Sequence, residues 1–168
     1  MKKTAIVYGS TTGTTESVAR MIAGKMGVLD ADIYDVGRLK AGQLDNYDFL
    51  VLGTSTWGCG ELQDDWYDGL QFFKSMPMEG KVVALFGCGD SESYSDTFCD
   101  AMGLIYQELK QSGCHFVGAV PVADYQYVSS QAVVDGRFVG LAIDEMNESE
   151  KTDTRIDAWI ACFKEAGL

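Results

Sequence analysis

The 168-residue chain has one histidine (His115), two prolines and five cysteines, none of them at CxxC spacing. An odd number of cysteines (Cys59, Cys88, Cys99, Cys114 and Cys162) does not make a disulfide framework, and with His115 they form no metal-ligand set. They read as small core or near-core residues, so no metal is expected. No apolar run approaches the ~20 residues that cross a bilayer. The start, MKKTAIVYG, carries two lysines, but a hydroxyl-rich stretch cuts its apolar run too soon for a secretory signal. A cytoplasmic protein is expected. Positive charge is also scarce: Lys and Arg number 13 against 25 Asp and Glu, a formal net charge of -12. Nucleic-acid binding depends on neutralising phosphates, so this balance excludes it. It also argues against anionic membrane surfaces and favours attraction to a basic partner. There is no internal repeat and no low-complexity tract.

Apolar residues make up 46% of the chain, enough to fill a core, and the length suits one domain over 1–168. Short apolar runs at 4–8 (TAIVY), 49–53 (FLVLG), 82–87 (VVALFG) and 116–120 predict strands, with a weaker one at 31–36. Helical spacing of apolar residues predicts helices over 16–26, 65–76, 95–112 and 152–166. Continuous apolar strands alternating with amphipathic helices mean a parallel sheet covered on both faces. The expected fold is a doubly wound α/β domain of five parallel strands. A polar stretch over 121–138, with Tyr125, Tyr127, Ser129 and Ser130, precedes a further short strand at 139–143. It reads either as an insertion splitting the last strand or as an ordinary surface excursion.

In such sheets ligands bind beyond the carboxyl ends of the strands, which singles out three loops. The first, after strand one, is Ser10-Thr11-Thr12-Gly13-Thr14-Thr15: five hydroxyl residues around one glycine, without lysine or arginine. Free backbone N–H groups, the helix dipole and neutral hydroxyls can together hold one phosphate. The loop lacks the lysine of a Walker A motif and the third glycine of a dinucleotide fingerprint. The competing reading is a Ser/Thr-capped helix start. The second loop, 54–60, sets Trp57 among small residues, where an indole could lie flat on a planar ligand or simply cover surface. The third, 88–97, carries Tyr94 among acids and serines. With Trp57 it suggests two aromatic walls around a flat ring.

Taken together, TWGxGELQxDW at 56–66, GxGDxxxYxDxFxDA at 87–101, FVGLAIDExN at 138–147 and the hydroxyl loop resemble the flavodoxins, FMN electron carriers, in their long-chain branch. The resemblance covers essentially the whole chain. It implies the sheet order 2-1-3-4-5, with the last strand interrupted by the insertion, and a low-potential one-electron carrier rather than an enzyme. It also implies that Ser10, Thr11, Thr12, Gly13, Thr14 and Thr15 hold the FMN phosphate, with Thr56 at the ribityl edge. Trp57 and Tyr94 would flank the isoalloxazine, the backbone at Gly58 and Cys59 would meet N5, and Cys88, Gly89 and Asp90 would address the pyrimidine edge. Thr54, Ser55, Gly60, Asp96, Thr97 and Cys99 complete the expected contact set. Thr14 stands where many long-chain members have lysine, and Cys99 where they often have glutamine.

Between Gly60 and Asp100 the acids Glu61, Asp64, Asp65, Asp68, Glu79, Asp90, Glu92, Asp96 and Asp100 face only Lys74 and Lys81. At ~10 Å and an effective dielectric of ~40, each acid near the flavin opposes one added negative charge by about 0.8 kcal/mol before screening. A few of them lower the second one-electron potential by roughly 100 mV or more. Gly58 can take the φ > 0 that a turning peptide at N5 requires. The same acids would steer a basic redox partner such as a ferredoxin-NADP reductase, with the carrier itself a monomer. One rival reading is an FMN-dependent NAD(P)H:quinone oxidoreductase, which would need a basic cluster for the nucleotide. Another is a response-regulator receiver, but the paired acids it requires after strand one are replaced by YGSTT.

Overall fold

The computed structural model describes residues 2–168; Met1, the first residue of the expected domain, lies outside the described residues. Strand β1 (Thr4–Gly9) pairs in parallel with β2 (Ile33–Asp35) on one side and with β3 (Phe49–Trp57) on the other. The end of β3 folds back on a two-residue antiparallel strand, β4 (Glu61–Leu62), and β3 pairs in parallel with β5 (Val82–Cys88). The position beyond β5 is shared by two short parallel strands: β6 (His115–Val117) lies on Val82–Ala84, and β10 (Leu141–Ile143) on Phe86–Cys88. The main path is therefore β10-β5-β3-β1-β2, the doubly wound order with a split last strand.

Side chains alternate across each strand, so one sheet feeds two cores. Ile6, Phe49, Val51 and Phe86 pack with Val18, Ile22, Ile156 and Phe163 of helices α1 (Thr14–Met26) and α4 (Thr152–Glu165). Val7, Leu50, Leu52 and Leu85 pack on the opposite face with Trp66, Phe73, Met102 and Ile105 of α2 (Asp65–Ser75) and α3 (Asp100–Leu109). Burial on both faces explains the near-continuous apolar runs of β1, β3 and β5. The fully buried Trp66 donates its indole N–H to the Gly53 carbonyl at 2.8 Å and stacks on Phe73, which holds α2 against the middle of β3.

The residues between β6 and β10 form a second small sheet, β7 (Val120–Pro121), β8 (Val133–Val134) and β9 (Arg137–Phe138), in the order β7-β9-β8. It is a packed insertion and not a loose excursion. Phe138 is fully buried against Phe98, Tyr125 and Tyr127, and the Tyr125 hydroxyl donates to the Ala142 carbonyl at 2.7 Å.

Several expected elements are shorter than their apolar patterns: the strand expected at 116–120 keeps only His115–Val117 in the main sheet, with Val120 passing to the small sheet, and the one expected at 139–143 keeps Leu141–Ile143. The helix predicted over 95–112 begins only at Asp100. Ser95–Thr97 is a 3-10 turn, and Cys99 sits in the left-handed region at φ 55. The reason is tertiary. The Ser95 carbonyl accepts from Val128 N and Ser129 N, and the Phe98 carbonyl accepts from the Ser130 hydroxyl. The insertion thus takes groups a continuous helix would have used. The weak strand at 31–36 keeps only Ile33–Asp35, flanked by 3-10 turns at Asp30–Asp32 and Val36–Arg38.

Candidate functional site

The loops at 10–15, 54–60 and 88–97 leave the carboxyl ends of β1, β3 and β5, three neighbouring strands of one sheet. The split at the last position leaves this end intact, because β10 still pairs with the final residues of β5.

In the first loop, Gly13 takes φ 96 and stands at the N-cap of α1, and no side chain caps the helix. The Ser10 hydroxyl accepts from Gly13 N at 3.1 Å, one residue before the helix. The hydroxyls are therefore not spent as caps, which removes the competing reading of this stretch. The N–H groups of the first turn have no side-chain cap, and the helix dipole adds partial positive charge beside them. Thr15 is 1% exposed, and its Oγ1 is one of the few buried side-chain atoms without a hydrogen-bond partner among the described residues. The Cys88 thiol faces it. Burial pushes that thiol up to about 12, against a smaller lowering by the Thr15 hydroxyl. A neutral thiol is a weak acceptor, so the hydroxyl's donor capacity remains unspent. Thr11 and Thr12 are exposed, and Thr14 is half-buried.

In the second loop Trp57 is 40% exposed and its indole N–H donates to the Ser55 hydroxyl at 2.8 Å. Gly58 and Gly60 take φ 51 and 93. At Gly60 a Cβ would lie 2.6 Å from Asp100 Oδ2, so the loop can cross the start of α3 only as glycine. The Thr56 hydroxyl accepts from Ala101 N at 3.2 Å and keeps its proton free to donate. Cys59 is exposed. Thr54 has no exposed surface and its hydroxyl donates to the Ser55 carbonyl at 2.9 Å, so it supports the loop from beneath.

In the third loop Tyr94 is 50% exposed. An Asx turn shapes the segment: Asp90 Oδ1 accepts from Glu92 N at 3.2 Å and Ser93 N at 2.9 Å. Partial burial raises the Asp90 carboxyl, but hydrogen bonds from Ser93, Asn147 and Glu92 outweigh it and hold the group below its usual range. Gly89 N donates to the Ile143 carbonyl at 2.9 Å, which pins the loop to β10. Asp96 is exposed and Thr97 half-buried on the 3-10 turn. Cys99 is fully buried with its thiol directed at the Gly87 carbonyl, and burial raises that thiol well above its ordinary value. It lies under the loop, on the α3 face, whereas Cys88 belongs to the α1 side.

The acids divide as the sequence could not show. Glu61 lies on β4, Asp64 just before α2, and Asp65 and Asp68 in the first turn of α2, all exposed, and Glu92 and Asp96 are exposed in the third loop. Glu79 precedes β5 and packs at Gly113, at the opposite end of the sheet, so it does not belong to this surface. Asp100 is buried and accepts from Gln131 N at 2.7 Å. The two nearby lysines are also remote. Lys81 donates to the Asp45 and Tyr47 carbonyls, and Lys74 pairs with Glu108.

Three residues of the site escaped sequence reasoning. Gln63 is almost wholly buried and joins the first two loops. Asp144 and Asn147 hold the third. All three lie inside the quoted motifs, but nothing in their spacing indicates what they touch.

The family model described as Flavodoxin matches residues 6–159. The chain is 42% identical over 161 residues to Flavodoxin 1 of Salmonella typhimurium, covering 95% of this chain and 92% of the relative. It is 40% identical over 168 residues to a flavodoxin of Nostoc sp., covering 99% of each. Among solved structures it is similar to Fusobacterium nucleatum flavodoxin bound to flavin mononucleotide. That match has a TM-score of 0.91 and 29% identity, and covers 99% of both chains.

Proposed function

Because the chain belongs to the flavodoxin family, we propose that the three loops at the carboxyl end of its sheet are where it holds FMN. The chain is an FMN-carrying electron-transfer protein and not an enzyme. Bound FMN supplies the one-electron chemistry; the chain's own groups bind it, orient it and set the field around it.

One observation carries the site assignment. An uncapped helix start and a buried hydroxyl with an unspent donor, Thr15 Oγ1, lie beside two exposed aromatics on the neighbouring loops. Leaving a buried hydroxyl unpaired costs about 1–3 kcal/mol, and a phosphate oxygen would relieve that. Ser10, Thr11, Thr12, Gly13, Thr14 and Thr15 bind the phosphate without any cation. Thr56 donates toward the ribityl chain. Trp57 and Tyr94 flank the ring, the backbone at Gly58 and Cys59 meets N5, and Cys88, Gly89 and Asp90 take the pyrimidine edge. Ser55, Gly60, Asp96 and Thr97 shape the rim, while Thr54 and Cys99 act from beneath. Residues 1–168 work as one domain.

The carrier passes electrons between redox partner proteins. Our reading adds that it works as a monomer in the cytoplasm and that its partners are basic, of the ferredoxin-NADP reductase kind. The exposed acids Glu61, Asp64, Asp65, Glu92 and Asp96 around the flavin edge support the last point. No helix among the described residues is long and apolar enough to cross a membrane. The quinone-oxidoreductase reading is not favoured, since these loops carry no basic cluster for a nucleotide phosphate.

The test is titration of the apoprotein with FMN and with riboflavin, followed by stepwise reduction. Tight FMN binding, weaker riboflavin binding and two separated one-electron steps are expected. Equal affinity for FMN and riboflavin would refute the phosphate assignment. Direct oxidation of NADPH without a reductase would revive the enzyme reading.

A further inference from the structure

The third loop is fastened from behind by two residues that follow β10. Asp144 has no exposed surface. Its Oδ2 accepts from Ser91 N at 3.3 Å and from the Ser91 hydroxyl. Its Oδ1 accepts from Asn147 N at 3.1 Å, and both oxygens lie 3.1 Å from Asn147 Nδ2. The same Nδ2 donates to Asp90 Oδ1 at 2.8 Å, the oxygen around which the Asx turn closes. Among the described residues, every donor to Asp144 is neutral, and no lysine or arginine shares the network.

We propose that Asp144 and Asn147 are positioning residues for the flavin: they lock Ser91 and Asp90 and thereby preset the Cys88–Gly89–Asp90 backbone and the approach of Tyr94. This rests on reading the third loop as one wall and edge of the FMN site. The physical argument is preorganisation. Asp90 and Ser91 sit between the last residues of β5 and the exposed Tyr94, so two fixed side chains restrict the whole span. Further clamping comes from β10 itself, because Ile143, next to Asp144, takes the Gly89 N–H. A loop already held in its binding shape loses less freedom when a ligand arrives. An ordinary core contact would stabilise the fold without favouring the ring over the phosphate.

That difference sets the test. The full-length apoproteins of wild type, Asn147→Leu, Ser91→Ala, Ser91→Thr and Tyr94→Ala are titrated with riboflavin and, separately, with inorganic phosphate. Riboflavin reads the ring site and phosphate reads the first loop. The riboflavin Kd should rise about tenfold in Asn147→Leu and several-fold in Ser91→Ala. It should stay near wild type in Ser91→Thr, which keeps the hydroxyl for Asp144. Phosphate affinity should be unchanged in all of them. The proposal is overturned if Asn147→Leu and Ser91→Ala leave riboflavin binding intact, or if phosphate binding weakens in step, which would mean general loosening. If only Tyr94→Ala weakens riboflavin binding, positioning alone fails. If Tyr94→Ala is silent as well, the reading of the third loop falls with it.

Discussion

The Gln63 side chain donates through Nε2 to the Thr11 hydroxyl at 3.2 Å, and so joins the second loop to the first. The same nitrogen donates to Asp65 Oδ2 at 2.9 Å, and Gln63 Oε1 accepts from Asp65 N at 3.1 Å. One buried amide therefore ties the first loop to the segment that follows the loop carrying Trp57. Gln63→Leu keeps the volume and removes these bonds. Only the Thr11 bond reaches the first loop; at about 1 kcal/mol for that one hydrogen bond, the FMN Kd should rise about fivefold. Fluorescence titration of the apoprotein measures it. An unchanged Kd would mean that the two loops are positioned independently.

Thr15→Val should separate stability from binding. The native Oγ1 is buried and unpartnered, so an isosteric methyl should leave the apoprotein as stable or raise its Tm by a few degrees. If Thr15 donates to the phosphate as proposed, the same change should weaken FMN about tenfold while sparing riboflavin. Thermal melts of the apoprotein and the two titrations check both signs. A destabilised apoprotein with normal FMN affinity would contradict the assignment.

Gly58 already holds φ 51, where a β-branched residue is strained by about 1–3 kcal/mol. Gly58→Val should distort the backbone offered to N5 and shrink the plateau of one-electron-reduced flavin in a photoreduction titration. If the plateau keeps its height, the turn at this position does not tune the upper couple.

The Asp90 carboxyl should give the proposed site an acid limb. Its value in the folded protein is lowered by the Ser93, Asn147 and Glu92 hydrogen bonds, which prevail over partial burial. A lowered folded value means the network's contribution is complete above the ordinary carboxylate range near ~4 and disappears as pH falls through the lowered value. Riboflavin affinity, which is free of the phosphate's own titration near ~6, should be flat from neutral pH to about 5 and decline below about 4, and Asp90→Asn should flatten that decline. Titrations across pH, restricted to conditions where circular dichroism shows a folded chain, measure it. An identical limb in Asp90→Asn would assign it to another group.

The acids at the carboxyl end should govern encounter. Reduction by a basic one-electron reductase should slow as ionic strength rises, and the slope should lessen when Glu61 and Asp64 are changed to Gln and Asn. Glu79→Gln, at the far end of the sheet, should leave the slope as it was. Stopped-flow rates across salt concentrations distinguish these outcomes. A salt-independent rate would remove steering from the account.

Much of the fold was readable in order. Apolar runs at β1, β3 and β5 are continuous because both faces are covered, and the helices between them carry period 3.6. The polar interruption between two short apolar runs left the split last strand and an ordinary surface excursion both open, and the resemblance pointed to the split. The start of α3 was not readable. The pattern around Phe98 looks helical, but the insertion's N–H and hydroxyl groups take the Ser95 and Phe98 carbonyls. Local propensity could not foresee a competitor that arrives from 32 residues downstream.

The sequence by itself determined the alternating α/β pattern, the hydroxyl loop without a cation, the two aromatics on neighbouring loops and the negative charge. Each is a property of composition or of short spacing. Only the tertiary structure decided that α1 is uncapped and the Thr15 hydroxyl unspent, that Glu79 stands away from the acidic end, and that Gln63, Asp144 and Asn147 brace the loops. The physical reason is that a buried polar group finds its partner across the fold. Asn147 meets Asp90 across 57 positions, and Gln63 meets Thr11 across 52; no local pattern records such a pairing.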